Sequence, residues 1–444
     1  MEQTKVRGGG EMKVLVISSN KIKALAAPIP AFPSGPAYIA GGALEAGHEV
    51  EVFDACLADD VTSELTEHVE RFDPDAIGIS VRNVRARRWS DHQDLRPGVK
   101  EITDSVTRIS TAPIVLGGPA INNFGREWLE YLDLDFALRG ESELTFTRYL
   151  DMLDEGGDIH TIQGCVYRED GQLFELPIEP IEDLDATPYP AFELFDLDGY
   201  RTLGGSPALF TKRGCSFHCT HCPQNILEGS RYRLKSPKRV INEIDRARSA
   251  GNADMFYFSD NLFNFPKYHA EAICHELIEQ ELGIRWTADG LTPLGMTRDF
   301  CRLLKESGCA AASLSVESGS EWMLKRMRRG YSTEHIREAI TSLSKAELPF
   351  MVSLLLGGPG ESPETIAESI DLLGSLPQAQ IVNVNIGLSL EHHQSVLADA
   401  RKDGQLQDES DLFDGSYYLS PELSEDYLRD LVESLRDKAN WFVV

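Results

Sequence analysis

"RGCSFHCTHCPQ", residues 213–224, carries three of the chain's eight cysteines within eight positions, at 215, 219 and 222. Disulfides explain the grouping poorly. Three is odd, and the other five, Cys56, Cys165, Cys274, Cys301 and Cys309, are scattered without paired spacing. A structural zinc site asks for four soft or imidazole ligands, usually as two separated pairs. No second CxxC and no HxxxH occurs in the chain, so zinc would need His218 or His221 to complete its set. An iron–sulfur cluster is the third reading, because cysteine thiolates hold its irons. Four irons on three protein thiolates leave one iron open to a small chelating ligand, and such a site does chemistry beyond carrying electrons.

The CxxxCxxC spacing of Cys215, Cys219 and Cys222 resembles the pattern of the radical SAM superfamily. The resemblance implies a [4Fe-4S] cluster on these three cysteines, with the open iron chelated by the amino and carboxylate groups of S-adenosylmethionine. One electron then cleaves S-adenosylmethionine to methionine and a 5′-deoxyadenosyl radical, and a donor such as flavodoxin or ferredoxin supplies it. Most members carry an aromatic residue before the third cysteine, near the adenine; His221 stands there in this chain.

Outward from the cysteines, the first 150 residues alternate apolar runs with helical patterns: "KVLVI" (13–17), "HEVEVF" (48–53), "AIGIS" (76–80), "PIVLGG" (113–118) and "FALRG" (136–140). That order predicts a doubly wound parallel sheet. Ligands of such sheets sit beyond the carboxyl ends of the strands, at the switch point. Ser80 after the third strand, and Gly117 with Gly118 after the fourth, would let a large planar ligand approach the backbone. The stretches "AYIAGGALEAGHEVEVFDA", "DAIGISVRN", "VLGGPAIN" and "ALRGESE" resemble the cobalamin-binding domain that precedes the catalytic domain in a large radical SAM subgroup. "SVR" at 80–82 occupies the place of that domain's SxL signature, and Gly117 and Gly118 match its GG. The DxHxxG loop that supplies a lower histidine is missing; the chain reads "SSNKIKALAAPIP" after the first strand. Cobalamin on Ser80, Gly117 and Gly118 is what the resemblance implies.

Residues 12–150 are thus expected to form the cobalamin-binding-like domain and 151–205 a connector, with a hairpin in "GCVYREDGQLFEL" where Cys165 serves packing. From 206 to 388 six further strands, "ALFTKRG", "MFYFSD", "IRWTADG", "AASLSVESG", "FMVSLLLGG" and "IVNVNIGL", predict a partial (β/α)6 barrel, whose active site belongs at the C-terminal strand ends. Polar groups gather there: the cysteines after strand one, Asp260 and Asn261 after strand two, Asp289 after strand three, Glu317 and Ser318 after strand four, "GGPGE" (357–361) after strand five. By resemblance "YFSDNLF", "SVESGSEWMLKRMRRGYS" and "LLLGGPGESPET" surround S-adenosylmethionine, which assigns Asp260, Asn261, Glu317, Ser318, Gly357, Gly358 and Pro359 to the cofactor. After strand six the chain departs from the family: Gly387 and Leu388 lead into "SLEHHQSVLADA", where His392 and His393 read as an exposed loop pair or a proton relay. Residues 389–444 are expected to be a helical extension ending in a packing helix.

Composition bounds the function. The net charge of −28 argues against a general nucleic-acid surface, so the runs "RARR" (85–88) and "KRMRRG" (325–330) read as local anion contacts or solvated faces. No run is long enough to span a bilayer and the opening lacks the order of a signal peptide, which predicts a cytoplasmic protein without membrane contact. Cys274, Cys301 and Cys309 sit at core-like positions, so no auxiliary cluster is expected, and methylthiotransferases, which need three further N-terminal cysteines, are excluded. The expected reaction is cobalamin-dependent C-methylation of a small molecule. The alternative is a corrin-free dehydration, dehydrogenation or epimerisation of a polyhydroxylated amino-sugar-like substrate, with Asp289, Glu317 or Tyr232 moving protons or hydrogen.

Overall fold

The structure is a computed structural model and describes residues 10–20, 29–86 and 93–443. Two stretches read above lie partly outside the described residues: positions 21–28 of the segment after the first strand, and Arg87 and Arg88 of the RARR run. The chain divides into two compact units, one of residues up to 86, 93–208 and 243–253, the other built on 209–242 and 254 onward.

The first unit holds one sheet of seven strands: β1 (Lys13–Ser18), β2 (Glu49–Asp54), β3 (Ala76–Ser80), β4 (Ile114–Gly117), β5 (Phe136–Leu138), β6 (Cys165–Glu169) and β7 (Gln172–Glu175), in the order β2-β1-β3-β4-β5-β6-β7. The first five run parallel. Val14, Leu15, Val16 and Ile17 are all fully buried, as a parallel strand covered by helices on both faces requires. The order reverses between β1 and β3, and that is where such sheets bind ligands. The hairpin expected between the two halves is β6–β7, and it joins this sheet by antiparallel pairing with β5. Cys165 is fully buried against the core, as a packing residue should be.

The second unit carries another seven-stranded sheet: β8 (Ala208–Leu209), β9 (Met255–Phe258), β10 (Arg285–Leu291), β11 (Cys309–Glu317), β12 (Phe350–Leu356), β13 (Ile381–Ile386) and β14 (Trp441–Val443), in that order. From β9 to β14 every pairing is parallel. The six expected strands are present. The tail forms the packing helix Glu425–Arg436 and then adds β14 as a seventh strand beside β13, an element the reading of a terminal helix missed. Burial alternates along these strands: Leu314, Val316, Val352, Leu354, Val382 and Val384 are at most 3% exposed, while their neighbours in the chain are partly open. One face of this sheet is packed and the other is not.

Candidate active site

The cysteine loop leaves a short ribbon, Lys212–Arg213 paired with Arg233–Leu234. It is tied to three different parts of the second unit. Cys215 N–H donates to the Gly229 carbonyl at 3.0 Å and Thr220 N–H to the Met327 carbonyl at 3.2 Å. Val396 N–H donates to the Thr220 carbonyl at 3.0 Å, and Gln394 Nε2 to the His221 carbonyl at 2.8 Å. Arg329, 7% exposed, aims Nη1 at Cys219 Sγ from 3.0 Å, with Nε on the Tyr331 hydroxyl at 3.0 Å and Nη2 3.6 Å from Glu317 Oε1. The guanidinium therefore sits between the Cys219 thiol and the Glu317 carboxylate.

Burial pushes all three thiols above the ordinary cysteine value, Cys222 to about 11, where the neighbouring thiols of Cys219 and Cys215 add to the rise. The Arg329 charge opposes the rise at Cys219. A thiol gives up its proton to bind metal, so a buried cation beside it favours the ligating form. Among the described residues no three His, Cys, Asp or Glu side chains converge on a single-ion position. His218 is exposed and lies 2.9 Å from Asn225 Nδ2. The thiols of Cys215 and Cys219 lie near enough to Cys222 to act on it, and three neighbouring cysteine thiols are the ligand type that iron–sulfur clusters use.

The other rim residues divide by what their side chains touch. Asp260, 4% exposed, accepts from Thr211 N at 2.7 Å, Thr211 Oγ1 at 2.6 Å, Lys212 N at 3.1 Å and Lys212 Nζ at 3.3 Å. Its carboxylate is engaged in anchoring the ribbon that leads into the cysteine loop. Asn261 Nδ2 donates to Glu228 Oε2 at 2.7 Å, which also accepts from Gly214 N. Ser318 is fully buried, with Oγ 3.2 Å from Ser369 Oγ and accepting from Ser320 N, so it shapes the turn after β11. Glu317 ends β11 at φ +63. Gly357, Gly358 and Pro359 are buried at the end of β12. Gly357 has φ +90, and a Cβ there would come within 2.6 Å of Leu419 Cδ1, so only glycine makes this turn.

At the first unit's switch point, Ser18 and Ser80 are register partners across β1 and β3, and Ser80 faces Gly117 across β3 and β4. Gly118 has φ +100, and a Cβ there would lie 2.6 Å from the Val81 carbonyl oxygen and 2.9 Å from Ser80 Oγ. Gly117 differs: among the described residues an added Cβ meets nothing closer than the Leu138 carbonyl oxygen at 3.9 Å. One glycine is required by a close backbone approach and the other is not.

Residues 209–373 match the radical SAM superfamily model, and residues 24–150 match the B12 binding domain. An uncharacterised methyltransferase of Pyrococcus horikoshii is 30% identical over 344 residues, spanning 76% of this chain and 72% of that protein. The chain belongs to the radical SAM superfamily. It is an enzyme of the branch with a B12-binding domain, whose cofactors are a [4Fe-4S] cluster, S-adenosylmethionine and cobalamin. The anaerobic magnesium-protoporphyrin IX monomethyl ester cyclase of Synechocystis is 29% identical over 70% of this chain and 62% of that protein. The tryptophan 2-C-methyltransferase of Streptomyces laurentii is 22% identical over 78% of this chain and 68% of that protein. Among solved structures, the radical S-adenosylmethionine methyltransferase TsrM from Kitasatospora setae, with cobalamin and a [4Fe-4S] cluster bound, shares the fold at TM-score 0.85 and 20% identity, covering 98% of this chain and 93% of that one. No helix among the described residues is long and apolar enough to cross a membrane.

Three residues of this radical SAM enzyme stood inside stretches that sequence reading singled out but were given no role of their own. Arg329 lies in the basic run 325–330, which was open to an anion-contact reading; its burial singles it out. Gln394 follows His392 and His393 in the stretch that departs from the family. His393 is exposed and His392 is 3.8 Å from Glu409, so the histidines lie along the loop while the next residue reaches the cysteines.

Glu361 is the third, fully buried beside the glycine turn. Thr365 Oγ1 donates to its Oε1 at 2.9 Å, while Oε2 has no hydrogen-bond partner among the described residues. Burial pushes this carboxyl up to about 7 from 4.5, against the hydrogen bonds from Thr365, Gly357 and Gly358. The folded protein then holds the proton more tightly than the unfolded chain. Stability is lost as pH rises from the ordinary value through the folded one, by ~3 kcal/mol in all. Glu361→Gln should therefore raise the melting temperature at about pH 8 and much less at about pH 5. Equal shifts at both pH values in a thermal melt would contradict this.

Proposed function

We propose that this radical SAM enzyme is a cobalamin-dependent C-methyltransferase acting on a small molecule. The observation that carries the reading is the pairing, in one chain, of a three-thiol loop braced by a buried Arg329 with a B12-binding sheet whose switch point carries Ser80, Gly117 and Gly118. When bound, the cluster with S-adenosylmethionine supplies radical chemistry and cobalamin supplies a transferable methyl group. Cys215, Cys219 and Cys222 hold three irons. His221, Glu317, Gly357, Gly358 and Pro359 border S-adenosylmethionine, while Asp260, Asn261 and Ser318 fix the turns from which these groups project. Ser80, Gly117 and Gly118 form the corrin seat. Electrons come from a low-potential carrier of the flavodoxin or ferredoxin class, and the enzyme works in the cytoplasm, where thiols stay reduced.

The reading is tested by a ratio. With the true substrate, methylation by this route consumes two S-adenosylmethionine molecules per product, so 5′-deoxyadenosine and S-adenosylhomocysteine should form in equal amounts. The product should gain one methyl in place of hydrogen. Release of 5′-deoxyadenosine alone, with no mass gain, would replace methylation by a corrin-free dehydration, dehydrogenation or epimerisation.

A further inference from the structure

The open face of the second sheet carries a band of polar side chains where a closed barrel would be apolar. Across β11, β12 and β13 the partly exposed positions include Ser313, Ser315, Glu317, Ser353, Asn383 and Asn385, with Ala310, Ala311, Met351, Leu355 and Ile381 between them. Parallel register sets Ser315, Ser353 and Asn383 in one row, which continues to the half-exposed ring of Phe442 on β14. Among the described residues the side chains of Ser313, Ser315, Ser353 and Asn383 make no hydrogen bond to the protein. These side chains lie on the sheet's unpacked side and are not committed to the protein, so their donors and acceptors are available to a bound polar ligand.

One charge stands at the edge of this row. Between Ala288 and Leu291 the register of β10 slips, so that Asp289 and Gly290 both stand opposite Ser313. Bulges of this kind re-aim a side chain. Asp289 is exposed and its Oδ2 accepts from the Tyr257 hydroxyl at 2.5 Å; among the described residues no cation pairs with it. The Glu317 charge on the same rim is already faced by Arg329. The cation on this face of β10, Arg285, stands four residues earlier, about 13 Å down the strand.

We propose that this face is the substrate surface and that it takes an amine-bearing polyol, such as an aminocyclitol or amino sugar. The inference rests on the reading of a small-molecule enzyme given above. An ammonium group pairs with Asp289, hydroxyls exchange hydrogen bonds with serine and asparagine groups that both donate and accept, and the ring's apolar edge meets Phe442. A phosphate or carboxylate in the same place meets an unpaired carboxylate instead of a cation.

Binding separates this proposal from the reaction. The full chain, loaded with cluster and cobalamin under anaerobic conditions, is titrated calorimetrically with 2-deoxystreptamine, its N-acetylated derivative, myo-inositol and an inositol monophosphate, without reductant. The aminocyclitol should bind about tenfold or more tighter than its acetylated form, because a hydrogen bond to a charged partner is lost. The phosphate should bind weakest. Asp289→Asn, with cluster content checked by absorbance, should erase the preference for the free amine, and Ser353→Ala should weaken all three uncharged or cationic probes. Equal binding of the acetylated form, tighter binding of the phosphate, or no binding of any probe up to about 10 mM would each overturn the substrate class, and the wild-type series decides this even if a variant fails to fold. A chain that binds the aminocyclitol but transfers no methyl loses the methyltransferase reading and keeps the surface; one that methylates an anionic substrate does the reverse.

Discussion

Replacing Cys219 with alanine is expected to reduce S-adenosylmethionine cleavage to background and to lower iron below the level of the wild-type chain after anaerobic reconstitution. The same holds for Cys215→Ala and Cys222→Ala. The reason is stoichiometric, since each thiolate holds one iron. Cys274, Cys301 and Cys309 are at most 5% exposed inside the sheet's packed side, where burial pushes Cys274 and Cys301 to about 12 and Cys309 higher still. Such thiols are inert. Cys274→Ala should therefore leave cleavage nearly intact and cost about 1 kcal/mol of stability through the small void it leaves. Wild-type protein that takes up zinc and no iron under these conditions would refute the assignment, and so would an unchanged iron content in Cys219→Ala.

Gly117→Trp should abolish corrin retention, and Gly118→Ala should damage the fold itself. The two glycines are neighbours with opposite surroundings. At Gly117, at the carboxyl end of β4, an added Cβ meets nothing among the described residues closer than the Leu138 carbonyl oxygen at 3.9 Å, so the indole is expected to project into the corrin seat. The variant should melt close to the corrin-free wild type yet emerge from gel filtration without the visible absorption of cobalamin. At Gly118, φ is +100 and a Cβ meets the Val81 carbonyl oxygen at 2.6 Å, so even alanine should cost roughly 1–3 kcal/mol in backbone strain alone. Its thermal melt should fall whether or not corrin is present. Retention of the corrin by Gly117→Trp would move the cobalamin site away from this switch point.

Much of this architecture is legible from local pattern. The apolar runs at 13–17 and 76–80 and the turn at Asp170 and Gly171 each follow from a few adjacent residues, and each forms where expected. β14 was not legible. Trp441–Val443 is three residues long after a helix, and its strand character comes from β13, some sixty residues earlier in the chain. Asp260 shows a subtler limit. Its position after a strand pointed to the rim, but its four contacts with Thr211 and Lys212 involve residues about fifty positions away, and they engage the carboxylate within the protein.

The sequence alone determined the thiol set of the cysteine loop, because ligand number and spacing are local properties of residues 215–222, while the cluster reading came with the family resemblance; it also determined the two parallel sheets, because strand and helix periods are local too. Tertiary structure decided what surrounds that chemistry. Arg329 reaches Cys219 across 110 residues and Gln394 reaches His221 across 173. Which face of the second sheet stays open, and hence which serines and asparagines are left for a substrate, depends on which side the helices cover. A side chain's partner across a fold is set by the packing of whole elements, and no window of neighbouring residues contains that information.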